Sequence, residues 1–180
     1  MSANIFGIVV PSTDPFFLGV IGLHIPLALA CVISGIVAIL STKGRGWHSR
    51  AGTVYFWGMC GVLLTTALLA YLRWTEDYVL LVLGILAFGL AFVGRTAVAR
   101  HWGLRLHATC MGSSYIVLLT AFYVDNGPNL PVWKTLPVLA YWLIPAAVGF
   151  PLILLALARH PLLRPLTKKV GHLTPPRPPP

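Results

Sequence analysis

The sequence predicts an all-α membrane protein built as a bundle of five transmembrane helices. Only 9% of its 180 residues are charged and 57% are hydrophobic, whereas soluble domains carry about 25% charged residues. The mean hydropathy is +0.83. Five apolar runs are each long enough to span a bilayer, because about 20 helical residues cross the hydrocarbon layer.

The five runs fix the expected organisation of the chain. They cover about 16–40, 51–72, 78–98, 106–124 and 136–157. The short connections make neighbouring helices antiparallel, so residues 1–159 are expected to form one transmembrane domain. Residues 1–14 have no basic segment or cleavage site typical of a signal peptide and are expected to remain as a short leader. Residues 160–180 are basic and rich in proline, which predicts a disordered tail.

The distribution of charge predicts the orientation. Eleven of the thirteen Lys and Arg residues fall in or beside the first connection, the third connection and the tail. Only Arg73 and Lys134 fall on the other side, together with all four acids. Since loops rich in Lys and Arg stay in the cytoplasm, we expect the N-terminus outside and the C-terminus inside.

The net charge of +9 does not indicate a nucleic-acid partner, because the cations are spread over short loops and a tail. The expected partners are the lipid bilayer and, in one hypothesis, other membrane subunits. The three cysteines lie inside apolar runs without zinc-ribbon or disulfide spacing, so they are expected to be buried thiols.

Span 4 differs from the other spans because polar residues follow two nearly opposite sides of its helix. A helix of this kind is expected at the centre of the bundle, away from lipid. The segments HSRAGTVYFWGMCGVLLTTA and HATCMGSSYIVLLTA, at the starts of spans 2 and 4, are also similar if a gap of one turn is allowed. Duplication of a helical hairpin and shared membrane-helix composition both account for this similarity.

Histidines are the candidate functional residues. His24 lies in the outer half of span 1, where an ionisable residue is a functional candidate; a neutral imidazole bonded to Thr65 or Thr120 is the structural alternative. His48 lies just before span 2 and His107 lies at the start of span 4, so they are expected to approach each other if the two hairpins pack side by side. The residues that could ligate a haem or a transition metal there are His48, His101, His107, Cys110 and Met111.

Other reaction classes find little support in the sequence. The chain has no HExxH or GxSxG motif and no acid inside a span that could couple ion transport. It therefore carries no recognisable catalytic motif, and whether it is an enzyme stays open. A cytochrome with two haems is disfavoured because the outer half offers only His24 as a ligand.

The stretches LHIPLALACVISG, KGRGWHSRAGTVY and LHATCMGSSYIVLLTAFYVDNGPNLPVW resemble an uncharacterised bacterial family of small predicted integral membrane proteins with a domain of unknown function. The family pattern is a first-helix His, a basic loop with His followed by Gly, and a later His that opens a helix. These positions correspond to His24, His48 with Gly52, and His107. The resemblance implies a multi-pass protein of the bacterial cytoplasmic membrane with three key histidines, and no particular reaction.

These observations lead to one main hypothesis and two alternatives. The main hypothesis is a histidine-lined site in which His24, His48 and His107 bind a metal, a haem or a quinone-like ligand. The alternatives are an accessory or assembly subunit without chemistry of its own, and a small-solute permease.

Overall fold

A computed structural model describes residues 3–5, 8–10 and 14–159 of the chain. Five long helices dominate this part of the protein. In chain order they are Pro15–Leu40 (α1), Trp47–Leu72 (α2), Trp74–Ala99 (α3), Leu104–Asn126 (α4) and Val138–Arg159 (α5). All five are long and apolar enough to cross a membrane, which confirms the predicted fold class. The predicted tail, residues 160–180, lies outside the described residues.

The structure adds short elements that the hydropathy pattern did not predict. Strands Ala3–Ile5 (β1) and Ile8–Val10 (β2) pair as an antiparallel hairpin within the expected leader. Two single turns of 3₁₀ helix, Gly127–Asn129 and Trp133–Thr135, connect α4 to α5. All four elements are too short to span a bilayer, so the count of five spans is unchanged.

Helix α2 begins at Trp47, four residues before the predicted boundary at residue 51. Hydropathy reports where apolar residues start, but a helix starts where its first backbone hydrogen bond forms. Here the Arg50 amide donates to the Gly46 carbonyl over 3.0 Å. Gly46 has a φ of 139°, a conformation that favours glycine. His48 therefore lies in the first turn of α2, and not in the loop before it.

The helices pack as two hairpins with α5 added at one side. Helix α1 packs against α2, α3 packs against α4, and the contact between α2 and α3 joins the hairpins. Helix α4 touches α1, α3 and α5, which agrees with the central position predicted from its two polar sides.

Small residues let the helices approach closely, as is typical where lipid supplies no hydrophobic drive between helices. The ring of Tyr115 lies directly over Gly35, and the Tyr115 hydroxyl donates to the Val32 carbonyl over 3.1 Å. The buried cluster at the centre of the bundle comprises Cys31, Tyr55, Phe56, Met59, Val62, Ala87, Ala91 and Leu118. Helices α1, α2, α3 and α4 all contribute to this cluster, so it fixes the two hairpins relative to each other.

The two ends of the bundle differ in charge, and we name them accordingly. At the acidic end, the Arg73 guanidinium pairs with Glu76 and with Asp77 and lies 5.7 Å from the centre of the Phe17 ring. The basic end contains the connections between α1 and α2 and between α3 and α4. Its described cations are Lys43, Arg45, Arg50, Arg95, Arg100, Arg105 and Arg159.

Candidate functional site

The imidazoles of His48 and His107 meet at the basic end of the bundle. Their ring centroids are 6.2 Å apart and the ring planes make an angle of 78°. His48 comes from the first turn of α2 and His107 from the first turn of α4. The two residues that were expected to approach each other therefore do so, although 59 positions separate them in the sequence.

Each ring is held by a hydrogen bond to the helix that precedes it in its own hairpin. His48 Nδ1 is 2.8 Å from the Ala38 carbonyl of α1, and His107 Nδ1 is 2.8 Å from the Gly94 carbonyl of α3. A carbonyl oxygen can only accept, so both Nδ1 atoms carry a hydrogen and donate it. In the neutral imidazole this leaves the Nε2 lone pair available. The same Nδ1 bond is found on most metal-binding histidines, where it orients the ring.

A second polar layer joins the same two helices deeper in the bundle. The hydroxyls of Tyr55 and Ser114 are 2.8 Å apart, and Ser114 also donates to the Ala87 carbonyl of α3 over 2.7 Å. Because the serine has one hydrogen, Tyr55 is the donor in their mutual bond. Tyr55 lies seven residues after His48, and Ser114 seven after His107, a separation of about 10 Å along a helix.

On the α2 side, a glycine without close neighbours lies between these two layers along the helix. Gly52 is on the helix face of His48 and Tyr55, because residues four apart and three apart along a helix share a face. A Cβ placed on Gly52 would have no neighbouring atom within 4 Å. The corresponding residue of α4 is Met111, which turns towards α3: its Cγ would be 2.9 Å from a Cβ placed on Gly94.

His24 occupies a separate place in the bundle. Its Nδ1 is 2.8 Å from the Thr65 hydroxyl, which itself donates to a carbonyl of α2, at Gly61 or Val62. This is the alternative that the sequence analysis gave for His24. His24 lies 14 residues before Ala38 in α1, a distance of about 21 Å along the helix. Ala38 is the residue whose carbonyl accepts the hydrogen bond from His48. The three histidines of the sequence hypothesis therefore form one pair and one separate residue.

The larger predicted metal set is not brought together. His101 lies in the exposed turn after α3 with a φ of 58°, and lines a surface cavity with Gly103 and Leu104. Cys110 and Met111 pack against Gly94, where the Cys110 Cβ would be 3.2 Å from an added Cβ. Within residues 3–5, 8–10 and 14–159, no group of three or more His, Cys, Asp or Glu side chains is placed to hold a metal ion.

Lys43 also belongs to this site, although in the sequence it is only one of the basic residues that predict the orientation. Its ammonium donates to the carbonyls of Ile39 at 2.7 Å, and of Ala38 and Ser41 at 3.3 Å. Burial lowers the pKa of this ammonium below its ordinary value. The signal in the sequence was its position, since a lysine just after a helix often binds the last carbonyls of that helix.

The five spans define a multi-pass membrane protein, and its most distinctive site is a pair of oriented imidazoles at one end of the bundle. No family model matches the chain, and neither a curated protein nor a solved structure shows significant similarity to it.

We expect Ser114→Ala to lower the free energy of unfolding by about 1–3 kcal/mol, because it leaves the buried Tyr55 hydroxyl without its acceptor. Tyr55→Phe should cost less, since Ser114 can still donate to Ala87. Denaturant unfolding in detergent micelles measures both changes. The double variant should be less destabilised than the sum of the single variants, and additive costs would contradict the proposed hydrogen-bond chain.

Proposed function

We propose that this protein is a membrane haem protein that transfers electrons, in which His48 and His107 would hold one non-covalently bound haem. The observation that carries the proposal is the pairing of two imidazoles whose Nδ1 atoms both donate to backbone carbonyls. In the neutral rings, this arrangement leaves both Nε2 lone pairs available as ligands.

The separation of the two rings supports a nearly linear arrangement around an ion. A metal–nitrogen bond is about 2.0–2.1 Å, and the ring centroid lies about 1 Å behind its nitrogen, so two rings on one ion have centroids at most about 6.4 Å apart. The observed 6.2 Å is close to this limit. Two ligands on opposite sides of an ion are typical of bis-histidine haem, whereas tetrahedral zinc would bring the rings closer together.

The number of ligands also favours haem. Structural and catalytic zinc sites use three or four protein ligands, and no group of three is present among the described residues. A porphyrin supplies four nitrogens to its iron, so the protein needs to supply only two. The soft ligands that would favour a copper(I) ion, Cys110 and Met111, are engaged in packing against Gly94.

The surroundings of the pair suit a flat, anionic cofactor. Along α2, Gly52 lies between His48 and Tyr55 and has no neighbour within 4 Å of an added Cβ, so a porphyrin edge there would meet no side chain of this residue. The cations of the basic end would neutralise the haem carboxylates. None of the three cysteines belongs to a CxxCH motif, so a haem would be bound without a covalent link.

The chemistry that such a site can perform follows from its ligands. His48 and His107 would hold the haem, and with both as ligands the chemistry that the haem would supply is the exchange of single electrons. His24 has no part in this site, because it is about 21 Å along α1 from the residue that orients His48. The proposal thus retains two of the three histidines of the sequence hypothesis.

The first test is the optical spectrum of protein expressed with an adequate haem supply and purified in detergent. We expect a Soret band, a sharpened α band on reduction, and one haem per chain by pyridine haemochrome assay. His48→Ala and His107→Ala should each lose most of the haem. The angle of 78° between the rings also predicts a strongly anisotropic low-spin ferric signal in electron paramagnetic resonance.

His24→Ala and His101→Ala are the matched controls, and both should keep the haem. Retention of haem by both His48→Ala and His107→Ala would contradict the assignment of ligands. A wild-type protein that carries stoichiometric copper and no haem would replace the haem proposal with a two-coordinate copper site.

The space beside Gly52 provides a second test. We expect Gly52→Leu to lower haem content several-fold without unfolding the bundle, because the new side chain would enter the space needed by the porphyrin. Gly22→Leu is the matched control, since Gly22 also has no neighbour within 4 Å of an added Cβ but lies on α1 outside this site. Haem content should be measured together with helicity by circular dichroism. Full haem occupancy in Gly52→Leu would contradict the proposed position of the cofactor.

We further propose that the basic end faces the cytoplasm of a bacterial cell and the acidic end faces outwards, as the positive-inside rule indicates. In a variant without native cysteines, Arg45→Cys should be protected from a membrane-impermeant thiol reagent in intact cells and Pro128→Cys should react. Both should react after the membrane is opened. The reverse pattern of labelling would invert the proposed orientation.

A further inference from the structure

We propose that Lys43 is a positioning residue for the His48 ligand and raises the reduction potential of the bound haem. The inference rests on the proposed function and adds a regulatory feature to the same site. It starts from one shared atom: the Ala38 carbonyl oxygen accepts from His48 Nδ1 at 2.8 Å and from Lys43 Nζ at 3.3 Å.

The position of Ala38 explains why this carbonyl is available to two side chains. Helix α1 ends at Leu40, and the last four carbonyls of a helix have no amide donor within it. The last backbone bond of α1 runs from the Ser41 amide to the Val37 carbonyl, which leaves Ala38 as the next carbonyl to be satisfied. His48 and Lys43 supply its two donors.

The three hydrogens of the Lys43 ammonium match its three acceptors, the carbonyls of Ala38, Ile39 and Ser41. The cation is therefore fixed at the end of α1, where the helix dipole favours positive charge. The aliphatic part of the side chain needs no contact with His48, because the effect is transmitted through the shared carbonyl.

His107 differs from His48, because no lysine among residues 14–159 shares the carbonyl to which His107 donates. Gly94 lies within α3, five residues before the helix ends at Ala99, where the helix itself provides an amide donor. In the described part of the chain, His107 is the one side chain that hydrogen-bonds to the Gly94 carbonyl. The two ligands are thus held in the same way but differ in whether a cation shares the carbonyl.

Two physical effects of Lys43 act in the same direction. The cation draws electron density from the Ala38 oxygen, which weakens the hydrogen bond that His48 Nδ1 donates to it and makes His48 Nε2 a poorer donor to iron. The nearby positive charge also disfavours ferric haem, which carries one more positive charge than ferrous haem. Both effects favour the reduced state, and hydrogen bonds and charge around the ligands are known means of tuning haem potentials.

The test is a potentiometric titration of the haem in wild type, Lys43→Gln, Lys43→Arg and Arg45→Gln at one fixed pH. We expect Lys43→Gln to reduce the equilibrium constant for reduction about tenfold, a shift of about 59 mV to more negative potential. Lys43→Arg keeps the charge and should stay close to wild type. Arg45→Gln removes the same charge from the same loop without these three contacts, and should shift the potential much less.

Equal shifts in Lys43→Gln and Arg45→Gln would overturn the inference, because the effect would then depend only on net charge. An unchanged potential in Lys43→Gln would overturn it as well. A readout that needs no haem is the nitrogen spectrum of ¹⁵N-histidine-labelled apoprotein. There, the Nδ1 signal of His48 should change in Lys43→Gln by clearly more than that of His107, which shares no carbonyl with Lys43 and feels only its charge. Failure of every variant to bind haem would remove the proposed function, and the apoprotein measurement would still decide whether Lys43 acts on His48.

Discussion

The rest of the structure depends on the need to satisfy every polar group from within the protein. In the hydrocarbon layer no water is available to hydrogen-bond a donor or acceptor, so each one requires a protein partner. Among the described residues, no buried side-chain nitrogen or oxygen lacks a hydrogen-bond partner. The Tyr55 and Ser114 hydroxyls, the His24 ring and the two paired histidines meet this requirement by bridging different helices. These bridges hold the bundle together and also fix the positions of its functional groups.

The sequence was sufficient to predict the membrane bundle but less reliable at the helix ends. Apolar runs locate spans well because the bilayer selects for length and composition. Apolar runs do not reveal a first helical turn that is polar, so the predicted start of α2 was four residues too late. This error affected the candidate site, because the predicted boundary left His48 in a loop, whereas the structure has it on a face of α2. The β1–β2 hairpin was missed because strands of three residues carry almost no periodic signal.

The candidate site was predicted in part. The approach of His48 to His107 followed from the topology of two hairpins, but their ring geometry depends on the Ala38 and Gly94 carbonyls. Every residue has a backbone carbonyl, so the sequence does not indicate which carbonyl will accept the hydrogen bond from each histidine. The Tyr55–Ser114 bond was missed for a similar reason. The sequence similarity between spans 2 and 4 is weak, because aligning them needs a gap of one turn. In the structure, however, the members of the His48–His107 pair and of the Tyr55–Ser114 pair are both 59 positions apart.

The hydrogen bonds of the paired histidines have a consequence for how the protein assembles. Each ring is oriented inside its own hairpin, by a carbonyl ten residues earlier for His48 and thirteen residues earlier for His107. Each hairpin can therefore enter the bilayer with its histidine already oriented, before the hairpins associate. Only their association creates the site. If the proposed cofactor binds both rings, it would stabilise the associated state by mass action, in addition to the buried cluster that already joins the hairpins.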